Sequence, residues 1–231
     1  MQAKIKRTST DFIFDSRLEK PALTLLQGCI GSSIRSIHLE RAQLAVLPTL
    51  KISCMGRCCF RFKSKDPKVV ALNFIFQSHF QEIKGPIVDQ GALAIQKIVT
   101  EKRPLREALL NPPQDIDSSF ATLIQYPSQD PIVRIRLYGN QERLNLKDIE
   151  PNINQEDLIK WGFSDYPNME IDSIEFVSFE HENGSQTILS LDNGGFWIQL
   201  LREGSIDELM ANSYIKPNGY DKSIILQHEI V

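Results

Sequence analysis

The chain has 231 residues, of which 42% are apolar and 24% are charged, so it has enough apolar material for a packed core and enough charge for a solvated surface. This composition excludes a disordered tail, a collagen-like repeat and a small disulfide-stapled protein. The longest apolar run, residues 69–76, is far shorter than the roughly 20 residues that a membrane-spanning helix needs. We therefore expect a soluble, globular protein with no membrane partner.

The formal charge of −3 conceals a strong asymmetry between the two halves of the chain. Residues 1–106 contain 18 lysines and arginines against 8 acidic residues, whereas residues 107–231 contain 8 against 21. Clustered positive charge attracts phosphate-bearing or acidic surfaces. The first half is therefore expected to bind an anionic partner, unless the two halves face each other and neutralise their charges internally.

The cysteines indicate the compartment. All four lie within the first 60 residues, at Cys29, Cys54, Cys58 and Cys59. They cannot crosslink the rest of the chain, so a secreted disulfide scaffold is not expected. The N-terminal segment is basic but lacks the apolar stretch of a secretory signal. These features favour a reducing, intracellular location, cytoplasmic by default, with import into an organelle left open.

The same cysteines raise the alternatives of a zinc site, completed by Cys29 or His38, and of a reactive thiol. The Cys54-x-x-x-Cys58-Cys59 spacing does not fit the common zinc knuckle, and a strand would send Cys58 and Cys59 to opposite faces. Neighbouring arginines would lower the pKa of a thiol and make it more reactive. We interpret these residues as ordinary buried cysteines.

The first hundred residues predict helices around a short sheet. A helix from Pro21 ends at residue 27, before Gly28, and a second begins at Ser32 or Ser33 and runs to Pro48, because apolar residues recur there at helical spacing. Residues 49–65 read as extended structure and residues 69–76 as a buried strand. Good helix formers predict a further helix over residues 89–103, which Pro104 ends.

The second half changes to the pattern of an antiparallel sheet. Gly139-Asn140 and Asn183-Gly184 each predict a hairpin turn between strands, and the turn at residues 192–195 leads into another strand. Two short helices are expected, one over residues 154–161 and one over residues 205–210, because each has a capping residue at its start.

These elements together predict an α+β fold. N-terminal helices with a short sheet are followed by a mainly antiparallel, meandering sheet with two short helices. The proline-rich stretch at residues 111–131 predicts a linker between a basic α+β subdomain, residues 1–110, and an acidic sheet subdomain, residues 132–231. Packing of the two as one domain is left open.

A basic strand carries the main candidate site. Its positive positions are Arg57, Arg61, Lys63 and Lys65. Alternation places Phe60 and Phe62 on the opposite face from these charges, so the aromatic rings are expected to point into the core. The charged face then suits phosphates or carboxylates rather than stacking on bases. A merely solvated strand face is the alternative.

A second candidate site consists of Asp66, Glu82 and Lys84. If residues 69–76 and 79–84 pair as a hairpin, the two carboxylates lie side by side and could hold a magnesium or manganese ion, with the lysine beside the attacking water. This Asp…Glu-x-Lys pattern resembles that of the restriction-endonuclease-like nucleases over about 30 residues. The resemblance implies a metal-dependent phosphodiesterase.

The absence of other motifs favours a protein that is not an enzyme. The chain lacks a phosphate loop, a dinucleotide-binding glycine fingerprint, a Cys-x-x-Cys pair, a His-Glu-x-x-His helix and a nucleophile elbow. We expect a non-catalytic binding or accessory protein without a cofactor. Its basic half would dock on an anionic partner, with nucleic acid the first candidate and an acidic protein surface the second.

Overall fold

The protein is described here by a computed structural model. The residues that this structure describes are 4–8, 11–40, 42–47, 49–54, 57–63, 71–78, 91–97, 121–125, 130–145, 168–192, 195–201 and 224–231. Within these ranges the chain is mostly β-strand. No helix among the residues described has the length and apolar character needed to cross a membrane.

The described elements, in chain order, are the strands and the helix that follow. They are β1 (Lys4–Arg7), β2 (Asp11–Asp15), α1 (Lys20–Gln27), β3 (Ser33–Glu40), β4 (Ala42–Leu47), β5 (Thr49–Cys54), β6 (Arg57–Lys63), β7 (Ala71–Ser78), β8 (Gly91–Lys97), β9 (Ala121–Gln125), β10 (Ile132–Asn145), β11 (Asn168–His181), β12 (Gln186–Asp192), β13 (Gly195–Leu201) and β14 (Ile224–Ile230).

These strands form two sheets. The small sheet has five antiparallel strands in the order β8-β7-β6-β3-β9. The large sheet has nine strands and follows the path β1-β2-β11-β12-β13-β5-β4. Strand β10 also lies against β11 in this sheet, with β14 on its other side. Strands from both halves of the chain therefore share the large sheet.

Strand β11 organises the large sheet because it is long enough to serve two partners along one edge. Its first part, from Asn168 to Asp172, pairs in parallel with β2, and its later part, from Phe176 to Glu180, pairs antiparallel with β12. Along the other edge it pairs with β10 over nearly its whole length. The first strands of the chain are thus joined directly to strands of the second half.

One hydrophobic core lies between the sheets. The ring of Phe60 in the small sheet lies 4.9 Å from that of Phe74 and 5.4 Å from that of Phe179 in the large sheet, measured between centroids. Helix α1 adds Ala22 and Leu26 to the same buried cluster. Burial of such side chains contributes about 1.5–3 kcal/mol each, so this shared core holds the two sheets together.

The predicted α+β class is wrong, since the structure describes two sheets and a single helix. That helix, α1, begins at Lys20 with Pro21 in its first turn and is followed by Gly28, as the sequence predicts. The second predicted helix, over residues 32–47, is wrong, because residues 33–40 and 42–47 form strands β3 and β4. The two short helices predicted at residues 154–161 and 205–210 lie outside the described residues.

A β-bulge explains the wrong prediction at β3. Ile34 pairs with Phe62 and Ser36 pairs with Arg61, so Arg35 is an extra residue in the ladder. This extra residue puts Ile34 and Ile37 on the same buried face although they are three positions apart. A spacing of three apolar positions is typical of a helix, and here it is produced by an irregular strand.

The helix predicted over residues 89–103 is also wrong where it is described, because residues 91–97 form strand β8. This strand pairs antiparallel with β7, with Lys97 opposite Leu72 at one end and Gly91 opposite Ser78 at the other. Its side chains Leu93 and Ile95 are buried. Its alanines and leucine have high helix propensity, but pairing with a neighbouring strand overrides such a weak preference.

Of the two predicted hairpins, one is confirmed. Gly184 has a φ angle of +82° and the turn at Asn183-Gly184 joins β11 to β12. At Gly139-Asn140, in contrast, β10 runs straight through, with a register shift between Tyr138 and Gly139. Gly139 is not among the described glycines with positive φ, so it does not have the conformation of the predicted hairpin turn.

The strands predicted in the first half are confirmed where they are described. The extended prediction for residues 49–65 is confirmed in β5 and β6, and the buried strand at residues 69–76 is confirmed in β7.

Candidate anion-binding face

The candidate site lies on the face of the small sheet that points away from the core. Strand β6 alternates strictly: Cys58, Phe60 and Phe62 are buried, whereas Arg61 is half-buried and Lys63 is exposed. This arrangement confirms the predicted inward position of the two aromatic rings. Both rings are buried, and that of Phe60 packs against Phe179 of the large sheet, so they are not accessible for stacking on bases.

Two of the four basic residues predicted for this site are placed with their side chains. Arg61 and Lys63 both lie on the outward face of β6. Arg57 begins the same strand and pairs with Ile75 of β7, but its side chain is outside the described part of the structure. Lys65 lies outside the described residues.

Sequence reasoning missed a third positive charge, that of Arg35 on the neighbouring strand β3. The bulge places Arg35 and Ser36 together opposite Arg61. Since Ile34 and Ile37 on either side both point into the core, Arg35 and Ser36 emerge on the outward face. The spacing of the two isoleucines is the available signal, but in the sequence alone it is typical of a helix.

The side chains around Arg61 form a compact polar cluster. His38 lies directly across the ladder from Cys59, and Ser36 lies across from Arg61. The hydroxyl of Ser36 is 3.2 Å from Nε2 of His38. Ser36 is buried and the other polar side chains are partly accessible, with Arg35 exposed. Two guanidinium groups, a hydroxyl and an imidazole therefore belong to neighbouring positions of β3 and β6.

Burial and like charge both act against cations in this cluster. Burial lowers the pKa of Arg61, and the positive charge of Arg35 lowers it further, while Cys59 acts in the opposite direction. Burial also lowers the pKa of His38, and the charge of Arg61 adds to this effect. Burial raises the pKa of the Cys59 thiol to about 11, despite the opposing charge of Arg61. The thiol is therefore neutral near pH 7 and provides no negative charge.

No acidic group among the described side chains neutralises this face. Arg35, Arg61 and Lys63 make no ion pair within 4.0 Å in that part of the structure. The cluster thus carries at least two positive charges without a described counter-charge.

On the large sheet, in contrast, described arginines have acidic partners. Arg136 lies 2.7 Å from an oxygen of Glu180 and 2.9 Å from an oxygen of Glu229, and Arg134 lies 3.5 Å from Glu180. These arginines come from the acidic half of the chain and are neutralised by acids of the same half. Among the described side chains, Arg17 is the one basic residue of the first half that approaches an acid of the second half, at 3.7 Å from Asp172.

The described part of the structure does not bring the remaining sequence candidates together in a site. Asp66, Glu82 and Lys84 lie outside the described ranges, so the nuclease pattern stays a prediction. Within those ranges no group of three histidine, cysteine or acidic side chains is placed to hold a metal ion. Cys58 and Cys59 point to opposite faces of β6, as predicted, and burial raises the pKa of Cys29 to about 12 in the core.

Comparison with known proteins adds no relative from which a role could be transferred. No family model, no curated protein and no solved structure matches the chain.

Proposed function

We propose that this protein is a non-catalytic binding protein whose basic N-terminal half docks on an anionic partner, with nucleic acid the first candidate and an acidic protein surface the second. The observation that supports this proposal is the outward face of the small sheet. Arg35, Arg61 and Lys63 gather there, and no described carboxylate lies within 4.0 Å of them.

The contrast between the two sheets strengthens this proposal. The arginines whose side chains are described on the large sheet have carboxylate partners at 2.7–3.9 Å, whereas on the small sheet Arg61 lies close enough to Arg35 to feel its positive charge. Like charges at close range repel, and a bound anion removes that repulsion. A face of this kind therefore gains more from an anionic partner than a face whose charges are already paired.

The position of the aromatic rings favours a backbone-directed mode of nucleic-acid binding. Phe60 and Phe62 are buried beneath the sheet, so the outward face offers positive charge without stacking platforms. Contacts to phosphates position a nucleic acid but do not read its sequence. We therefore expect binding with little sequence preference and with a steep dependence on salt.

The experiment measures binding of a short labelled DNA duplex by fluorescence anisotropy across a series of salt concentrations. In the double variant Arg61→Glu/Lys63→Glu we expect a large loss of affinity, and we expect the slope of log K against log salt to fall by about 2, because about one counterion is released per phosphate contact. Circular dichroism spectra check that the variant folds.

Lys6→Glu/Lys20→Glu is the matched control, because both lysines are exposed and lie outside the small sheet, and the total change in charge is the same. If the double variant and this control bind the duplex equally well, the small-sheet face is not the binding site. Polyglutamate serves as a second probe. Binding of polyglutamate without binding of the duplex would favour the acidic protein surface over nucleic acid.

A further inference from the structure

The bulge in β3 creates a local arrangement that a regular strand would not have. In a regular strand successive side chains alternate between the faces, so Arg35 and Ser36 would point in opposite directions. Here both lie on the outward face opposite Arg61, with Ile34 and Ile37 in the core on either side. Bulges commonly re-aim a side chain in this way at functional sites.

We propose that Arg35, Ser36, His38 and Arg61 form a seat for a single phosphate group, called here the phosphate seat. This inference rests on the proposed function, because it names the chemical group of the anionic partner that the same face would bind. Guanidinium groups match the geometry of phosphate oxygens and can bind them in a bidentate manner. The hydroxyl of Ser36 lies 3.2 Å from Nε2 of His38. When Nε2–H of His38 donates to the Ser36 oxygen, the hydroxyl proton is free to be donated to the phosphate, so His38 orients this hydroxyl.

The electrostatics of the cluster favour a dianion over a neutral ligand. Arg35 and Arg61 are close enough for one charge to lower the pKa of the other group. The thiol of Cys59, which is the outward neighbour of Arg61 on β6, has a pKa of about 11 and stays neutral near pH 7. A bound phosphate would supply the negative charge that the described side chains do not.

The strands on either side of the phosphate seat add no described competing charge. On β9, the residues paired with His38 and Ser36 are Leu123 and Gln125, neither of which ionises. On β6, the paired residues are Cys59 and Arg61. The seat is therefore flanked by uncharged positions on one side and by a positive charge on the other.

The donor set also predicts selectivity for phosphate over carboxylate. A phosphate group has more oxygens than a carboxylate and carries more charge when it is a monoester. It can therefore use the guanidinium groups of Arg35 and Arg61 together with the hydroxyl of Ser36. A carboxylate, with two oxygens, satisfies fewer of these donors. This selectivity applies in full to a phosphate monoester, because a backbone phosphodiester has only two free oxygens and a single negative charge, and it binds through the guanidinium groups.

The test follows the imidazole resonances of His38 by NMR while inorganic phosphate is added to the full chain. The resonances are identified by their absence from the His38→Gln variant. We expect a saturable shift with phosphate, competition by sulfate, and no comparable shift with acetate at equal ionic strength. Arg35→Gln should weaken phosphate binding by about ten- to a hundredfold and Ser36→Ala by about two- to tenfold.

Lys20→Gln is the matched control and should leave the phosphate affinity unchanged. An unchanged phosphate affinity in Arg35→Gln, or equal binding of acetate and phosphate, would overturn the phosphate seat. If the duplex binds through Arg61 and Lys63 but phosphate does not shift His38, the seat is wrong and the proposed function stands. If phosphate shifts His38 but no nucleic acid binds, the seat stands and the nucleic-acid proposal fails.

A single-stranded oligonucleotide, with and without a terminal 5′-phosphate, distinguishes the two sources of phosphate. Equal affinity of the two forms indicates that the seat takes a backbone diester. Tighter binding of the phosphorylated form indicates a terminal monoester. Failure of both forms to compete with inorganic phosphate would overturn a nucleic-acid source for the group in the seat.

Discussion

The side chain of Gln227 passes over Gly139 and donates a hydrogen bond from Nε2 to the carbonyl oxygen of Ser173, at 3.1 Å. Gln227 is on β14, Gly139 on β10 and Ser173 on β11, so this side chain spans three adjacent strands. A Cβ atom at position 139 would collide with both the Ser173 carbonyl and the Gln227 amide. The crossing therefore requires glycine because of space, not because of a turn.

We expect Gly139→Ala to lower the free energy of unfolding by about 3 kcal/mol, since the added methyl group must displace backbone. Gly184→Ala is the matched control. Its new methyl group meets open space, so its cost of about 1 kcal/mol would come from the positive φ alone. Urea unfolding measures both variants, and equal losses in the two would contradict the steric explanation.

The contact between Phe74 and Phe179 couples the two sheets, with ring centroids 6.0 Å apart in an edge-to-face arrangement. A double-mutant cycle with Phe74→Leu and Phe179→Leu should give a coupling of about 0.5–1.5 kcal/mol in the free energy of unfolding. The control cycle pairs Phe62→Leu with Phe179→Leu, because these two rings are not among the described ring contacts. A coupling equal to that of the control would argue against a direct contact between Phe74 and Phe179.

His181 makes the stability of the protein sensitive to acid. Its ring is buried, and because a carbonyl oxygen only accepts, Nδ1 donates to the carbonyl of Asp130 while Nε2 accepts from the hydroxyl of Thr187. Burial lowers the pKa of His181, opposed by the interaction with Asp130. Below about pH 6.5, therefore, the unfolded chain takes up a proton that the folded protein does not.

The free energy of unfolding should consequently fall as the pH drops below about 6.5, by up to about 1.4 kcal/mol per pH unit for this histidine, until the pKa of the folded state is reached. His38, whose pKa is also lowered, acts in the same direction. Urea unfolding of His181→Gln between about pH 7.5 and pH 5 should show a smaller slope than the unaltered protein. The exposed His228→Gln is the control, and an identical slope in both variants would rule out the assignment to His181.

Asp172 is a buried carboxylate, only 5% exposed, that depends on arginine partners. Arg143 binds it through two nitrogens at 3.1 and 3.3 Å. Arg143→Gln should lower the free energy of unfolding by about 1.5–3 kcal/mol, because a hydrogen-bonded buried charge loses its main partner. Arg134→Gln, which removes longer ion pairs of 3.5 and 3.9 Å to carboxylates more exposed than Asp172, should cost less than about 1 kcal/mol. Equal costs for the two variants, measured by urea unfolding, would contradict this difference.

The described cysteines should differ in their reactivity. Cys59 is half-buried with a pKa of about 11, and Cys29 is fully buried with a pKa of about 12. Since the thiolate is the reactive form, iodoacetamide should modify Cys59 slowly near pH 7.5, faster as the pH rises, and Cys29 only after unfolding. Mass spectrometry of proteolytic fragments measures both sites. Rapid labelling of Cys59 near neutral pH would show that its thiol is activated rather than suppressed.

Two neighbouring strands differ in how closely their structure follows the local sequence pattern. In β6 the alternation of apolar and basic residues predicted the faces correctly from Cys58 to Lys63, where the side chains are described, because this strand has one side in the core and no irregularity. In β3 the same kind of inference failed at Arg35, where one extra residue turned a period of two into an apparent period of three. The bulge depends on pairing with β6, which the local sequence does not reveal.

Two other errors have different physical causes. Residues 91–97 have the propensity of a helix, and their pairing with β7 becomes visible only in the folded sheet. Gly139-Asn140 has the composition of a turn, yet Gly139 is used for the close passage of Gln227. The positive charge of the first half was evident from the sequence, whereas the position of Arg35 beside Arg61 required the coordinates.

The parallel pairing of β2 with β11 places Asp15 opposite Asp172, which is far away in the sequence. This separation has a consequence for biosynthesis. At a translation rate of about 5–20 residues per second, the ribosome needs roughly 8 to 30 s to make the intervening chain. During that interval the β1–β2 hairpin has no partner strand for the edge that β11 will later occupy. The nascent chain therefore presents an unpaired strand edge on which chaperones can act. A slow or stalled ribosome lengthens the time for which this edge must be shielded from pairing with other chains.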